Sequence, residues 1–177
     1  MGPFLERLMG CFPDEPPIQP VFLRTIPEPY SGLLAHDHHM TVALEHHHGK
    51  PVEVRVLNSR SVGEEYHRRI ILVLRGTDTV VLYGLVRLHL PMVPPVAREE
   101  ILEEKKPLGR VLIERDVLRR VEHTALLRFP SREVDMERFA LPGPSQLHGR
   151  LAYLHCDDKP DRKSTRLNSS HRCISYA

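Results

Sequence analysis

The 177-residue sequence has no tryptophan, few aromatic residues (6%), three cysteines and no large excess of charge of either sign. Cys11, Cys156 and Cys173 form no CxxC pair, which favours reduced thiols over a disulfide framework. The formal net charge of +2 comes from scattered basic residues, so we predict no nucleic-acid partner. No apolar run approaches the roughly 20 residues of a membrane span, and residues 1–7 lack a signal-peptide layout. We therefore expect a cytoplasmic protein.

The motifs of several enzyme classes are also missing. There is no GxSxG motif, no Gly-rich phosphate loop and no evident base beside Cys11 or Cys156. Histidines occur in two groups, but neither group has the helical i, i+4 spacing or the cysteine partner that is typical of zinc sites. These histidines are His36, His38, His39, His46, His47 and His48. We expect a solvated, polar helix face there, and we predict no metal and no cofactor.

The length is sufficient for one domain with a proper core. Residues 1–30 are rich in proline, which predicts an extended N-terminal arm with at most a short helix at Phe4 to Met9. We assign the domain itself to residues 31–160 and expect it to be a monomer.

Residues 161–177 have the character of a non-native tail. The stretch from Asp161 to His171 back-translates to a common sequencing-library adapter, and Ile174 to Ala177 continues it beyond two codons at the position of the variable index. We therefore exclude this tail from the fold, as one would exclude a fusion scar. The natural reading frame is then expected to continue differently after Pro160, so the domain would be truncated.

Hydrophobic periodicity and turn residues predict the elements between residues 31 and 160. Helices are predicted from Ser31 to Gly49, with a bend at residues 36–39, and from Pro95 to Glu104; strands are predicted at 52–56, 66–75, 79–90, 118–129 and 150–156. This order indicates an α+β fold with a single antiparallel β-sheet and helices covering one face. A turn at Asp157 to Pro160 promises a further strand, so the last strand of the sheet is expected to be missing.

The run from Leu118 to Phe129 fits two periods. Val121, Ala125, Leu127 and Phe129 would share one face of a strand, whereas several of the same residues would also suit one face of a helix. We favour a strand because a helix is predicted shortly before it and because the run ends at Pro130.

Two features point to an anion site. Lys106 to Arg110 reads Lys-Pro-Leu-Gly-Arg, a sharp turn that can aim backbone N–H groups into a cavity next to a guanidinium. Arg68 and Arg69 lie in an apolar strand, where alternation sends one of them toward the core. A buried guanidinium needs an anion, but an arginine paired with a glutamate explains the pattern equally well. Arg87 and Arg120 are weaker candidates of the same kind.

Four local patterns together resemble the chorismate lyase (chorismate pyruvate-lyase) family. They are His39-Met40-Thr41 before the first strand, the strand from Arg68 to Leu72, the turn from Lys106 to Arg110, and the stretch from Gly149-Arg150 to Lys159-Pro160. The likeness runs from about Ser31 to Pro160 and depends on the order and spacing of these motifs. It implies the α+β fold of that family and an enzyme that eliminates pyruvate from chorismate, its small-molecule substrate, to give 4-hydroxybenzoate or a related hydroxybenzoate, without a cofactor.

The resemblance also implies which residues bind. The backbone amides of Met40 and Leu108 and the side chain of Arg68, the candidate catalytic residue, would hold a carboxylate of substrate or product. Gly109 and Arg110 are secondary candidates. A glutamate of the family's final strand would fall after Pro160, so we expect this chain to show little lyase turnover and the full-length parent to show more. The alternative is a non-enzymatic binding domain for an aromatic carboxylate, since the sensor domains of some bacterial regulators have a similar fold.

Overall fold

The computed structural model describes residues 2–156 and 170–176. The helices are α1 (Gly2–Met9), α2 (Tyr30–Leu34), α3 (Met40–His48), α4 (Pro95–Leu102), α5 (Leu108–Glu114) and α6 (Glu133–Arg138). The strands are β1 (Val21–Leu23), β2 (Val52–Val62), β3 (Glu65–Leu74), β4 (Val80–His89), β5 (Leu118–Pro130), β6 (Gln146–Cys156) and β7 (Ser170–Tyr176). No helix in this described part of the chain is long and apolar enough to cross a membrane.

The strands form a seven-stranded antiparallel sheet in the order β1-β5-β6-β7-β4-β3-β2. Strands β2, β3 and β4 follow one another as hairpins. Gly63 and Gly76, in the two connecting turns, have φ values of +59° and +75°, which residues with a Cβ rarely adopt. The predicted hairpin of β3 and β4 and the α+β antiparallel fold class are confirmed.

The expected gap of a missing last strand is filled in the structure. Strand β7, made of residues from the tail, lies between β4 and β6, and Cys173 is in register with both Val86 and Ala152. Strands β4 and β6 are buried along most of their length, so an open gap between them would leave backbone N–H and C=O groups unpaired. The predicted turn at Asp157 to Pro160 lies outside the described residues.

Each face of the sheet packs against its own layer. Tyr66, Ile70 and Leu72 of β3 point to the face covered by α2, α3, α4 and α5, which we call the helix-covered face. Ile71 and Val73 point to the opposite face, which packs against Leu5, Leu8 and Phe12 of the N-terminal segment. We call this the arm-covered face. This second covering layer was not predicted from the sequence.

Strand β5 changes sides along its length. Val121 packs on the helix-covered face, whereas Ala125, Leu127 and Phe129 pack on the arm-covered face. The reason is a register irregularity between His123 and Ala125, which shifts the alternation by one residue. The prediction of a strand is confirmed, but the prediction that these four residues share one face is wrong.

The N-terminal arm contains regular structure. Helix α1 matches the predicted short helix, while β1 pairs with β5 and was not predicted, because three residues among prolines show no alternation. Glu15, only 6% exposed, accepts hydrogen bonds from Arg69 Nη1 at 3.2 Å and Arg132 Nη2 at 3.0 Å. The arm is thereby tied to β3 and to the start of α6, another element that was not predicted.

Candidate functional site

A cavity lies on the helix-covered face, between the sheet and the beginnings of α3 and α5. It contains about 590 Å³ of space free of protein atoms, with the solvent at its open mouth included. Most of its wall is apolar and comes from β3, β4, β5 and β6. The lining residues are His39, Met40, Thr41, Ile70, Leu72, Leu82, Val86, Pro107, Leu108, Gly109, Val121, Arg150 and Leu154.

The first residues of two helices lie among those that line the cavity. His39 is extended (φ −66°, ψ 127°) and Pro107 likewise (φ −54°, ψ 138°), so α3 begins at Met40 and α5 begins at Leu108. The first amides of a helix have no acceptor within it and carry a partial positive charge. The structure therefore brings Met40, Leu108 and Gly109, three of the residues singled out in the sequence, to one cavity.

Gly109 permits the two helices to meet. A Cβ atom placed on Gly109 would lie 3.1 Å from the side-chain oxygen of Thr41, tighter than ordinary van der Waals contact. The absence of a side chain at this position thus lets the first turns of α3 and α5 converge on the same space.

Arg68 lies on the same face but behind the wall of the cavity. Its strand neighbour Ile70 and its cross-strand partner Val86 line the cavity, whereas Arg68 itself does not. The side chain is completely buried (0% exposed), and none of its three nitrogens has a hydrogen-bond partner within the part of the chain that the structure describes. A buried, unsatisfied guanidinium is costly, which makes Arg68 the most unusual side chain of this face.

The surroundings of Arg68 only partly compensate its charge. Burial lowers the pKa of the Arg68 guanidinium, and the Tyr66 hydroxyl and the Glu104 carboxylate oppose that shift. The Tyr66 hydroxyl donates a hydrogen bond to Glu104 Oε1 at 2.6 Å. Burial, and next the bond to Glu104, raise the pKa of Tyr66 to about 12.

Arg150 is a cavity residue that the sequence analysis did not propose for the site. It is 2% exposed, and its Nη1 donates to the carbonyl oxygen of His36 at 2.8 Å, while Nη2 donates to that of His38 at 3.4 Å. These contacts fasten the connection between α2 and α3 to β6. The signal that could have found Arg150 is the one used for Arg68: an arginine at an inward position of an apolar strand.

The other candidate arginines have acidic partners. Arg69 meets Glu15 on the arm-covered face, Arg87 meets Glu65 and Arg120 meets Glu122. Arg110 pairs with Glu45 at 2.5 Å and lines a neighbouring polar groove, so it does not join the cavity. Of the two explanations considered for Arg68 and Arg69, the glutamate pair thus applies to Arg69 and the unpaired guanidinium to Arg68.

The histidines divide between the surface and the cavity wall. His46 and His47 are exposed on α3, as expected for a solvated helix face. His39 is half-buried and lines the cavity, and its buried Nδ1 has no hydrogen-bond partner among the described residues. Within residues 2–156 and 170–176, no group of three His, Cys, Asp or Glu side chains is placed to hold a metal ion.

No family model and no curated protein matches the sequence of this chain. Solved structures do match its fold. PhnF from Mycobacterium smegmatis aligns at 11% identity with a TM-score of 0.55, over 78% of this chain and 63% of PhnF. YydK, a possible transcriptional regulator from Bacillus subtilis subsp. subtilis str. 168, aligns at 11% identity with a TM-score of 0.48, over 71% of this chain and 57% of YydK.

These likenesses concern the fold. The chain spans less than two thirds of the length of either structure. The domain has the chorismate lyase-like α+β fold, which confirms the fold that the sequence motifs implied. The activity suggested by those motifs receives no support from sequence comparison.

Proposed function

We propose that this domain is a binding module for a small organic anion, and that an aromatic carboxylate is its preferred ligand. The observation that carries the proposal is Arg68, a fully buried guanidinium without a hydrogen-bond partner among the described residues. A protein retains such a group at a cost in stability, and the charge of an anion in the neighbouring cavity would offset part of that cost.

The shape of the cavity suits this ligand class. Its wall of Ile70, Leu72, Leu82 and other apolar side chains offers a dry surface for a ring, and the first residues of α3 and α5 also line it. Hydrogen bonds from amides to an ionised carboxylate are stronger than neutral ones, particularly away from water. A ligand with one apolar part and one carboxylate therefore matches both parts of the cavity.

Binding is better supported than catalysis. The polar side chains that line the cavity are those of His39, Thr41 and Arg150, and the described lining includes no carboxylate, thiol or lysine. The cavity thus has groups that hold an anion, but it lacks a carboxylate that could serve as a general base. A cytoplasmic location and a monomeric state stay predictions.

The experiment compares 4-hydroxybenzoate with its uncharged analogue 4-hydroxybenzamide by isothermal titration calorimetry. We expect the carboxylate to bind and the amide to bind far more weakly. Arg68→Met should weaken carboxylate binding by about tenfold, because it removes a buried positive charge behind the cavity wall, and charges attract each other more strongly in a poorly solvated interior than in water. The control is Arg120→Met, at an exposed arginine that pairs with Glu122. Equal affinity for the acid and the amide, or no binding of either, would overturn the proposal.

Chorismate lyase activity is the second candidate. It is favoured by the position of Met40 and Leu108 on one cavity with Arg68 behind its wall, since the resemblance assigns a carboxylate to these three residues. If the cavity also holds chorismate in a reactive conformation, positioning alone could supply much of the rate. No step of this reaction requires a metal or an organic cofactor in the family that the chain resembles.

Pyruvate release separates the two candidates. This chain is incubated with chorismate, and pyruvate is measured with lactate dehydrogenase and NADH. Pyruvate formation that is lost in Arg68→Met would identify a lyase. Tight binding of 4-hydroxybenzoate without pyruvate release would leave the binding module as the function.

A further inference from the structure

The wall of the cavity contains a titratable group immediately before the N-terminus of α3. His39 is the residue immediately before α3, it lines the cavity, and it directly precedes the Met40 amide. Its Nδ1 is buried and has no hydrogen-bond partner among the described residues. An imidazole nitrogen in that state lacks an acceptor when protonated and a donor when it is not.

We propose that His39 is a further ligand-binding residue, and that it takes up a proton when the anion binds and donates a hydrogen bond to it. The proposal rests on the proposed anion-binding function and specifies how that site is regulated. It makes the affinity for the ligand depend on pH in the physiological range, where an imidazole can change its charge.

The groups around His39 disfavour its protonated form in the empty site. On the connection between α2 and α3 lie His36, Asp37 and His38, and on β6 lies Arg150, which donates to the carbonyl oxygens of His36 and His38. Burial, and next the charges of His38 and Arg150, lower the pKa of His39 below its ordinary value.

The remaining elements around the cavity bring charges of both signs, among them the Glu104 carboxylate near Arg68. Helices α3 and α5 contribute Glu45 and Arg110, which neutralise each other as an ion pair. Strand β3 contributes the guanidinium of Arg68, and β6 also carries His148, whose pKa is lowered by burial and by Arg128. Burial and the neighbouring His38 and Arg150 thus disfavour the protonated form of His39 before a ligand binds.

A bound anion would shift the protonation equilibrium of His39 in the opposite direction. A carboxylate in the cavity would favour the protonated imidazole, because an opposite charge within about 4–6 Å raises the pKa of a histidine. The affinity then increases as the pH falls through the pKa of His39 in the complex, and it reaches a plateau below the lower pKa of His39 in the free protein. Each unit between the two pKa values corresponds to about a tenfold change in affinity.

The test measures binding of 4-hydroxybenzoate between pH 6 and pH 8.5, a range in which the ligand's carboxyl group stays ionised. We expect the affinity to fall by about tenfold from the acid to the alkaline end. Calorimetry at pH 7.5 in two buffers of different ionisation enthalpy should show uptake of a fraction of a proton per ligand. His39→Gln should remove both effects and leave weaker, pH-independent binding, whereas the exposed-site control His47→Gln should keep both.

A direct readout guards against variants that fail to fold. The His39 ring resonances of the unaltered protein are followed by NMR across the pH range with and without 4-hydroxybenzoate, and the pKa should be higher with the ligand. Binding without proton uptake, or proton uptake that persists in His39→Gln, would overturn the role of His39 and leave the anion-binding function intact. Absence of any binding by the unaltered protein at pH 6 would instead overturn the anion-binding function, and the role of His39 with it.

Discussion

Arg68 and Arg69 are consecutive residues of one strand, and the sheet treats them in opposite ways. Arg69 points to the arm-covered face and meets Glu15 at 3.2 Å. Arg68 points to the helix-covered face, where it is fully buried and none of its nitrogens has a hydrogen-bond partner in the described part of the chain. The same type of side chain therefore has an acidic partner on one face and no hydrogen-bond partner among the described residues on the other.

The two faces of the sheet also differ in how their other polar side chains are paired. On the arm-covered face Glu15 joins Arg69 and Arg132, Glu65 joins Arg87, and the Arg138 guanidinium lies 3.6 Å from the centre of the Tyr83 ring. The helix-covered face instead surrounds a cavity with helix N-termini and apolar side chains. We infer that the arm-covered face mainly stabilises the domain, whereas the helix-covered face binds the proposed anionic ligand.

Replacement of Glu15 by glutamine should cause the largest loss of stability. The variant keeps the shape of the side chain but leaves Arg69 and Arg132 without a common carboxylate in a buried position. Loss of one partner of a buried ion pair costs about 3–5 kcal/mol of the free energy of unfolding. Urea denaturation measures the effect, and a loss below about 1 kcal/mol would contradict the stabilising role of this face.

The matched control for this variant is Glu53→Gln. Glu53 also pairs with an arginine, Arg75, at 3.1 Å, but both side chains are at least half exposed. Exposed ion pairs contribute about 0–1 kcal/mol, so little change is expected.

Arg68→Met should have the opposite effect on stability. It replaces a buried charge by an apolar side chain of similar length, and such replacements are often neutral or stabilise by about 1–4 kcal/mol. We expect the urea midpoint to rise while binding of 4-hydroxybenzoate weakens. A variant that loses stability would show that Arg68 has a compensating partner in the folded protein, and the contrast between the two arginines would then disappear.

Gly109→Ala should weaken binding with little effect on the fold. The added Cβ would press against the Thr41 side-chain oxygen at 3.1 Å and displace one helix N-terminus from the other. Loss of one amide contact to a carboxylate would cost about 1.5–3 kcal/mol of binding free energy. Thr41→Ala removes the opposing oxygen, so the double variant should recover affinity; if it does not, steric contact is not the cause.

The smallest effect is expected from Glu65, which contributes to the stability of the fold at low pH. Hydrogen bonds from Arg87 and, less strongly, His67 lower the pKa of Glu65 to about 2, while burial opposes the shift. A carboxyl group with a lowered pKa stabilises the fold above its unfolded pKa, and this contribution is lost as the pH falls from about 4.5 to about 2.

We expect Glu65 to contribute about 1 kcal/mol, because its side chain is partly exposed and its ion pairs are screened by solvent. The free energy of unfolding, measured with urea at several pH values, should therefore depend less steeply on pH between pH 4.5 and pH 2 in Glu65→Gln than in the unaltered protein. An unchanged slope would assign the acid sensitivity to other carboxyl groups.

Much of the fold could be predicted from local sequence signals. Period-two runs located β3 and β4, Pro95 marked the start of α4, and Gly49, with a φ of +62°, marked the end of α3. Short elements were missed, among them β1 and α6, because three to six residues do not establish a period. The prediction of which β5 residues share a face was wrong, because the pattern of apolar residues does not reveal the shift of register within the strand.

The candidate site was predicted in part. Met40, Leu108 and Gly109 line one cavity, as their place in the sequence motifs suggested, whereas Arg110 turns away to Glu45. Arg150 was overlooked although its strand was predicted correctly. Whether these residues bind the ligand stays a prediction that the experiments above test.

The sequence by itself determined that Arg68 and Arg69 fall on opposite faces of a strand, because side chains alternate along any extended backbone. It could not decide which of the two would meet a carboxylate. That depended on Glu15, which is distant in the chain and reaches β3 only when the N-terminal arm packs on the sheet. The tertiary structure alone thus separated the paired arginine from the buried, unsatisfied one, since ion pairs form between groups that folding brings together.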